Sequence, residues 1–328
     1  MHRDLRLELG EIVGPIDGYL KKVDEEIRRQ LSTGIPILDE SAFHLFARGG
    51  KKIRASLIIL SSGLKQEPGN SVLELAAAAE IVHCASLIHD DIIDQSSMRR
   101  GVPTVSAKWG SRVAVLTGDY MYTKALGIAV GDRSRDVFPI LVSATSDMVK
   151  GELYQLEYSS IDRITKQHYL NIIELKTARF LAACMKLGAV RGGMSDAESM
   201  DLYNAGLNLG FAFQIVDDAL DAAGSAAQTG KDSGNDFMEG KITLPLLHLL
   251  EVCDAAERTR ISEFARSPRA ADWPYVQERI RAAGGLKYCR VTAEQYTAAF
   301  NGYIEGIPDS PYKRIILDLA KFLVERNY

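Results

Sequence analysis

Two long apolar stretches of this chain each contain the pentapeptide Asp-Asp-x-x-Asp. The first copy is Asp90-Asp91-Ile92-Ile93-Asp94 and the second is Asp217-Asp218-Ala219-Leu220-Asp221. In a helix, residues i, i+1 and i+4 lie on one side, so each copy collects three carboxylates on one surface. Like charges at this spacing destabilise a helix, and aspartate is a poor helix former. Two copies therefore indicate helices that bind a compensating charge, for which divalent cations are suited.

Helical periodicity dominates the rest of the chain. Alternating β-branched runs, which would predict strands, are nearly absent, and turns such as Glu67-Pro68-Gly69-Asn70 separate the helical segments. No linker or shift in composition divides the 328 residues. We therefore expect a single all-α domain over 1–328, with its most apolar helices at the centre. The predicted helices cover residues 3–30, 38–48, 53–64, 71–97, 108–130, 135–160, 166–191, 196–223, 242–253, 257–266, 272–284, 286–304 and 311–326.

The composition argues against several classes of protein. Hydrophobic residues make up 46% of the chain and charged residues 25%, as in soluble globular proteins. The net charge of −4 and the lack of a basic block argue against nucleic-acid binding. Four scattered cysteines without metal-binding spacing favour reduced thiols in a cytoplasmic protein. We expect no signal peptide and no transmembrane segment, since no uninterrupted apolar run reaches the ~18 residues that a span requires.

Basic residues near the first Asp motif supply candidate anion sites. Arg99 and Arg100 follow that motif, and paired guanidinium groups suit bidentate binding of phosphate. Upstream, the segment 49–54, Gly-Gly-Lys-Lys-Ile-Arg, places three cations at a predicted helix start. Free backbone N–H groups at such a start also attract anions.

Further cations accompany the second half of the chain. Lys176 lies inside an otherwise apolar helix, where a lysine without a partner would be costly. Lys231 and Lys241 belong to the polar loop after the second Asp motif, which suits a lid over a phosphate-filled site. Acidic clusters accompanied by basic sites predict several cations with a polyanion between them.

These segments resemble the trans-isoprenyl diphosphate synthases of the polyprenyl synthetase family. The resemblance is carried by Gly-Gly-Lys-Lys-Ile-Arg at 49–54, His-Asp-Asp-Ile-Ile-Asp at 89–94, Arg-Arg-Gly-Val-Pro-Thr at 99–104, Lys-Thr at 176–177, Phe-Gln-Ile-Val-Asp-Asp-Ala-Leu-Asp at 213–221 and Glu-Gly-Lys-Ile-Thr-Leu-Pro at 239–245. One such motif alone is weak evidence, whereas six in the family's order are specific. The resemblance implies an all-α isoprenoid synthase-type bundle around a central apolar cavity, usually homodimeric.

The resemblance also implies a role for each matching residue. Three Mg²⁺ ions would bind the Asp motifs, with Asp90, Asp94 and Asp217 as main ligands and Asp91, Asp218 and Asp221 in support. The allylic diphosphate would contact Arg99, Lys176, Lys231 and Lys241, with Thr177 and Gln214 lining the space between the substrates. Isopentenyl diphosphate would contact Lys51, Arg54, His83 and Arg100. Catalysis would depend most on Asp90, Asp94, Arg99, Lys176, Asp217 and Lys231.

The implied chemistry agrees with the residues present. Diphosphate leaves readily only when its charge is neutralised, for which Mg²⁺ and fixed Lys and Arg side chains are suited. The double bond of isopentenyl diphosphate then attacks the allylic cation, and the released diphosphate can accept the proton that is lost. We therefore predict a prenyltransferase that condenses isopentenyl diphosphate head-to-tail onto an allylic primer, farnesyl diphosphate, with all-trans product geometry.

Small side chains precede the first Asp motif and predict a long product. Ser86 lies one turn, about 6 Å, before Asp90, with Ala85 beside it. In the family, bulky aromatic residues at these two places give short products. The same face continues toward the N-terminus with Val82, Ala79 and Ala78. We expect an open tunnel and a product on the order of C30–C50, centred on octaprenyl diphosphate. The alternative is that the alanines allow close helix packing, and the product is C15 or C20.

Three other functions agree less well with the sequence. A class I terpene cyclase shares the all-α fold, but its second metal site usually has an Asn/Ser/Glu pattern and it needs no isopentenyl site. A non-catalytic subunit of a synthase would tend to lose aspartates, and both motifs are intact here. A structural helical protein would leave the basic sites unexplained.

Overall fold

The computed structural model describes residues 5–48, 50–99, 101–224 and 234–325. These segments are mainly helical, which confirms the predicted all-α class. The α-helices are α1 (Leu5–Val13), α2 (Asp17–Leu31), α3 (Pro36–His44), α4 (Ile53–Gly63), α5 (Asn70–Ile93), α6 (Val105–Trp109), α7 (Ser111–Gly131), α8 (Val137–Tyr158), α9 (Lys166–Ile173), α10 (Arg179–Arg191), α11 (Asp196–Ala223), α12 (Asn235–Met238), α13 (Leu244–Val252), α14 (Ala255–Arg266), α15 (Trp273–Ala282), α16 (Gly285–Glu305) and α17 (Pro311–Val324). Two 3₁₀ turns, Gly14–Ile16 and Phe46–Arg48, and a π-helical turn, Glu174–Ala178, complete the helical structure of this part of the chain.

A small β-hairpin follows the first Asp motif. Strands β1 (Met98–Arg99) and β2 (Val102–Pro103) pair antiparallel and are the only strands in the described ranges. The helix predicted over 71–97 ends at Ile93 instead, because Gln95 adopts a left-handed conformation with φ of 52° that turns the chain out of the helix. This hairpin positions Arg99.

The helices form two compact units. Unit 1 comprises the residues up to Thr145 together with Ala183–Tyr203 and Ile307–Leu319. Unit 2 comprises Ser146–Ala182, Asn204–Gly306 and the residues from Ala320 onward. The first Asp motif belongs to unit 1 and the second to unit 2. The single domain expected over the whole chain stays a prediction.

Unit 1 is built around α5. This helix packs against α7, α4 and α2, and its run Ala76–Ala79 is completely buried. A second close approach joins α4 to α10, where a Cβ atom added to Gly188 would lie 2.3 Å from the carbonyl oxygen of Ile58. Small side chains therefore let the helices of unit 1 approach backbone to backbone.

Unit 2 places α11 directly against the π turn. A Cβ atom added to Gly210 would lie 2.4 Å from the Cα of Ala178, and one added to Gly206 would lie 2.7 Å from the Cα of Ala182. Beside this contact, the rings of Phe211 and Tyr296 stack with centroids 4.7 Å apart. These contacts fix the helix that carries the second Asp motif relative to the turn that carries Lys176.

One described helix, α5, is long and apolar enough to cross a membrane by length and composition. However, 72% of its apolar window is buried inside the protein. Core helices of globular proteins have the same properties, so this helix is weak evidence for a span.

Candidate active site

The three aspartates of the first motif have different environments. Asp90 and Asp94 lie at the end of α5 and are partly exposed, whereas Asp91 is only 1% exposed. A carboxylate oxygen of Asp91 accepts a hydrogen bond from Arg99 Nε at 2.6 Å. Asp91 therefore holds Arg99 in place, and Asp90 and Asp94 are the carboxylates of this motif that solvent reaches.

The hairpin keeps Arg99 beside α5. Thr104, directly after β2, donates its hydroxyl to the carbonyl oxygen of Ser96 at 2.9 Å and caps α6 through the amide of Ala107. Gly101 adopts φ of 76° between the two strands, a conformation that glycine tolerates without strain. Arg100, the second predicted guanidinium, lies outside the described residues.

Helix α7 adds a tyrosine that the motifs did not indicate. Burial and then the negative charges of Asp90 and Asp119 raise the pKa of Tyr122 far above its usual range. The neighbouring His89 lies with its Nε2 atom 3.2 Å from the carbonyl oxygen of Val115, and a Cβ atom at Gly118 would clash with its ring. His89 thus packs against α7.

The three basic residues of segment 50–54 have different environments. Lys51 is exposed and Arg54 is partly buried. Lys52 pairs with Asp24 on α2. His83 is partly buried, and its carbonyl oxygen accepts the hydroxyl of Ser86 at 2.8 Å.

The face of small residues before Asp90 differs from the expectation of an open tunnel. Ser86 is 8% exposed, and the four residues beyond it on this face have no exposed surface: Ala85, Val82, Ala79 and Ala78. A side chain that lines an open tunnel keeps surface that a water-sized molecule can reach. Close packing of the helices around α5 fills this space, which is the alternative considered for the alanines.

The second Asp motif repeats the pattern of the first. Asp217 is exposed, whereas Asp218 is 5% exposed. The two oxygens of Asp218 accept hydrogen bonds from the Gln214 amide at 2.8 Å and the Tyr169 hydroxyl at 2.7 Å. Gln214 in turn accepts a hydrogen bond from Thr177 Oγ1 at 2.9 Å. In both motifs, the second aspartate (Asp91 or Asp218) is buried and accepts hydrogen bonds from neighbouring side chains. The first aspartate (Asp90 or Asp217) is more exposed.

The third aspartate, Asp221, is bound to the backbone beyond the following loop. Its carboxylate oxygens accept the N–H groups of Asn235 and Asp236 at 3.2 and 3.1 Å. These contacts join the end of α11 to the start of α12. Asp221 thus has a structural task besides the metal-supporting one predicted for it. Lys231, in the same loop, lies outside the described residues.

A cavity of about 140 Å³ opens in unit 2 beside the second motif. Five predicted residues line it: Lys176, Thr177, Gln214, Asp218 and Lys241. The sequence did not indicate the five other polar members of the lining, which are Gln155, Ser159, Tyr169, Asp236 and Thr243. The remaining wall is formed by Ile164, Ile172, Ile173 and Ile242. A cavity lined by both lysine and isoleucine side chains suits a ligand with an anionic group and a hydrocarbon part.

Negative charge accumulates at this cavity. Burial and then the charges of Asp217 and Asp221 raise the pKa of Asp218 to about 7, although Gln214 and Tyr169 lower it. Burial and the neighbouring aspartates also raise the pKa of Asp236 well above its usual range. Burial is the main cause of both pKa rises, and the neighbouring carboxylates add to them.

Lys176 occupies the π-helical turn between α9 and α10. Its ammonium group donates to Gln155 Oε1 at 2.8 Å and pairs with Glu152. A Cβ atom added to Gly151 would lie 2.8 Å from the Cγ of Lys176, so α8 approaches this turn closely. A π turn widens the helix locally and is frequent at functional sites. The turn explains how a lysine in an apolar helix reaches the cavity.

The carboxylates fit Mg²⁺ if the substrate completes the coordination shell. In the described part of the chain, no three His, Cys, Asp or Glu side chains are grouped closely enough to hold one ion by themselves. Mg²⁺ typically binds one or two carboxylates and takes its remaining ligands from water and substrate phosphates. Asp90, Asp94 and Asp217, which solvent reaches, are suited to that arrangement.

Comparison with known proteins shows the family to which this chain is related. The sequence model of the family described as polyprenyl synthetase matches residues 35–280. Octaprenyl diphosphate synthase of Haemophilus influenzae is 32% identical over 323 residues, which cover 98% of each chain. A short chain isoprenyl diphosphate synthase of Methanothermobacter thermautotrophicus is 33% identical over 327 residues, covering 97% of this chain and 99% of that one. The crystal structure of a polyprenyl synthase from Caulobacter crescentus, complexed with calcium and isoprenyl diphosphate, superposes with a TM-score of 0.92 at 33% identity, covering 97% of this chain and 98% of that one.

Proposed function

The chain belongs to the polyprenyl synthetase family, whose members are Mg²⁺-dependent trans-prenyltransferases, and we propose that it condenses isopentenyl diphosphate onto farnesyl diphosphate. The observation that carries this proposal is the cavity of unit 2. There, Lys176 and Lys241 line one cavity together with Thr177, Gln214 and Asp218, and four isoleucines line the same cavity. This combination suits a prenyl diphosphate better than a fully polar ligand.

In this proposal, the reaction breaks the bond between the allylic carbon and the diphosphate oxygen, and the electron pair leaves with diphosphate. The double bond of isopentenyl diphosphate attacks the allylic cation to form the new carbon–carbon bond. The proton lost from the adduct passes to the released diphosphate. No protein side chain is needed as a base, so charged residues that bind diphosphate carry most of the catalysis.

The protein's own residues bind the diphosphate groups and exclude water. Lys176 and Lys241 would contact the allylic diphosphate, with Arg99 held ready by Asp91. Lys51, Arg54 and His83 would bind isopentenyl diphosphate. The isoleucines of the cavity would keep water from the allylic cation, which water would otherwise quench.

We assign the metal to the two Asp motifs. Asp90, Asp94 and Asp217 would be the main ligands of three Mg²⁺ ions, with Asp91, Asp218 and Asp221 in support. The bound ions would neutralise the charge that develops on the departing diphosphate. Asp91 and Asp218 already accept hydrogen bonds from the protein, which favours a supporting role for them.

For the product, we propose an all-trans chain on the order of C30–C50, with octaprenyl diphosphate as the central expectation. Small side chains at Ala85 and Ser86 and the similarity to an octaprenyl diphosphate synthase support it. Growth in this direction requires side chains around α5 to move, since Ala85 and Val82 are fully buried. That burial, with the similarity to a short-chain synthase, favours a C15 or C20 product as the second candidate.

The proposed activity is tested by measuring diphosphate release with farnesyl diphosphate alone and with isopentenyl diphosphate added. We expect release that requires both substrates and Mg²⁺, and that stops when the metal is chelated. Release from farnesyl diphosphate alone, with a hydrocarbon product, would instead identify a terpene cyclase. Failure of the folded chain to release diphosphate with both substrates would overturn the proposal.

We also propose that the protein is a homodimer. Helix α8 exposes an apolar stripe of Val149, Leu153 and Leu156, which are 51%, 62% and 59% exposed. Their spacing of four and three residues puts them on one face of the helix. A second copy that presents the same stripe would remove this apolar surface from water, as a twofold-symmetric interface does.

Replacing Leu153 with aspartate is expected to shift the protein from dimer to monomer. In a symmetric interface, each of the two subunits would bury one aspartate charge against the apolar stripe of the other. We expect the loss of hydration of both charges to weaken association by roughly 100-fold or more. Light scattering coupled to size-exclusion chromatography measures the change. The matched control is Val252→Asp, at an apolar position at the end of α13 that is 56% exposed. A Leu153→Asp variant that keeps the mass of the wild type would exclude this stripe from the interface.

A further inference from the structure

Glu80 is a buried acid that the mechanism above does not use. It lies on α5, ten residues before Asp90, and is 8% exposed. Its Oε1 atom accepts the backbone N–H of Ala55 at 3.0 Å. That amide belongs to the first turn of α4, where N–H groups have no partner within the helix. A buried carboxylate needs such a partner, and the positive end of the helix dipole stabilises it further.

The chain immediately before this contact is strained. Lys52 has φ of 45° and ψ of 38°, the left-handed conformation, which is unfavourable for a residue with a Cβ atom. Such a conformation persists only where the surroundings enforce it. Here, the pair between Lys52 and Asp24 holds one side of the turn, and the bond from Ala55 to Glu80 holds the other. Lys51 and Arg54 are the residues on either side of the enforced turn.

The charges of Arg54 and Glu80 both act on the thiol of Cys184, which is buried in unit 1. Burial raises the pKa of the Cys184 thiol to about 12, Arg54 opposes this rise and Glu80 adds to it. Helix α4 packs against α5 and approaches α10 closely at Gly188. The Nε atom of Arg54 is itself buried. Arg54 therefore keeps part of its guanidinium group inside unit 1.

We propose that Glu80 is a positioning residue for isopentenyl diphosphate. By fixing the first turn of α4, it holds Lys51 and Arg54 in the arrangement that binds the diphosphate of this substrate. The inference rests on the proposed function and adds to it a residue that binds no substrate itself.

The test compares steady-state kinetics of Glu80→Ala, Glu80→Gln and the wild type. Loss of the acceptor in Glu80→Ala should raise the KM for isopentenyl diphosphate roughly 10- to 100-fold, because small misplacements of binding groups have effects of this size. The KM for farnesyl diphosphate should change less than about twofold, since that substrate is assigned to other residues. Glu80→Gln keeps an acceptor oxygen but loses the charge, so its KM should rise only about two- to fivefold.

Controls separate positioning from a general loss of structure. Glu74→Ala removes an acid from the exposed side of the same helix and should leave both KM values unchanged. If Glu80→Ala folds poorly, Glu80→Gln alone still tests the proposal, because misfolded protein lowers kcat without changing KM. Equal rises in both KM values, or an unchanged KM for isopentenyl diphosphate in both variants, would overturn it. A wild type that condenses nothing would instead overturn the proposed function.

Discussion

The Asp217→Asn variant is expected to lose roughly 100- to 1,000-fold in kcat. Asp217 is the exposed carboxylate of the second motif, and asparagine removes its charge while keeping its size. Without its charge, the side chain binds Mg²⁺ much more weakly, because Mg²⁺ strongly prefers anionic oxygen ligands. The Mg²⁺ concentration required for half-maximal activity should rise as well. Steady-state rates measured across a series of Mg²⁺ concentrations give both quantities.

Two matched variants sharpen this prediction. Asp218→Asn alters the buried neighbour that accepts hydrogen bonds from Tyr169 and Gln214, and should cost only about 10- to 100-fold, as for groups that orient metal ligands. Asp201→Asn changes an exposed aspartate on the same helix and should have no effect. If Asp218→Asn is more damaging than Asp217→Asn while both variants stay folded, the division of roles between the two aspartates is wrong.

The Ser86→Phe variant is expected to shorten the product to C15 or C20. Ser86 lies one turn before Asp90, and it keeps a small exposed surface where the four residues beyond it on this face keep none. A phenyl ring there would block a chain that grows along this face of α5. Thin-layer chromatography of the dephosphorylated products, after incubation with radiolabelled isopentenyl diphosphate, measures the length.

The Ser86→Ala variant separates the effect of side-chain size from the loss of the serine hydroxyl. It removes only the hydroxyl that is hydrogen-bonded to the His83 carbonyl oxygen, and it should leave product length unchanged. Ala85→Phe should also shorten the product. However, Ala85 has no exposed surface, so the ring should lower stability by about 1–3 kcal/mol, visible as a reduced Tm. Unchanged product length in a folded Ser86→Phe variant would show that the chain grows along another path.

The helices could be predicted from the spacing of apolar residues along the chain, and the charged residues of the site could be predicted from short sequence motifs. Helical spacing indicated that Asp217, Asp218 and Asp221 share one side of α11. It could not indicate that Tyr169 and Gln214 would bind both oxygens of Asp218, because those contacts depend on tertiary packing. The same reason explains why Asp236 was missed, since its place at the cavity depends on the path of the chain after α11.

Local conformations limited the remaining predictions. The helix predicted through residue 97 ends at Ile93 because Gln95 adopts a left-handed conformation, for which glutamine carries no sequence signal. The π turn at Lys176 is likewise invisible in the helical period of the surrounding residues. The open tunnel was expected from small side chains, but small side chains serve close packing equally well, and Ala78, Ala79, Val82 and Ala85 are packed.

The size of the products formed from farnesyl and isopentenyl diphosphates with Mg²⁺ tests the proposed activity most directly. We expect Mg²⁺-dependent incorporation of isopentenyl units into a series of products that ends on the order of C30–C50. An endpoint at C15 or C20 would contradict the long-chain proposal, and the short-chain candidate would replace it. No incorporation by the folded protein at saturating substrates would contradict the central claim that the chain condenses prenyl diphosphates.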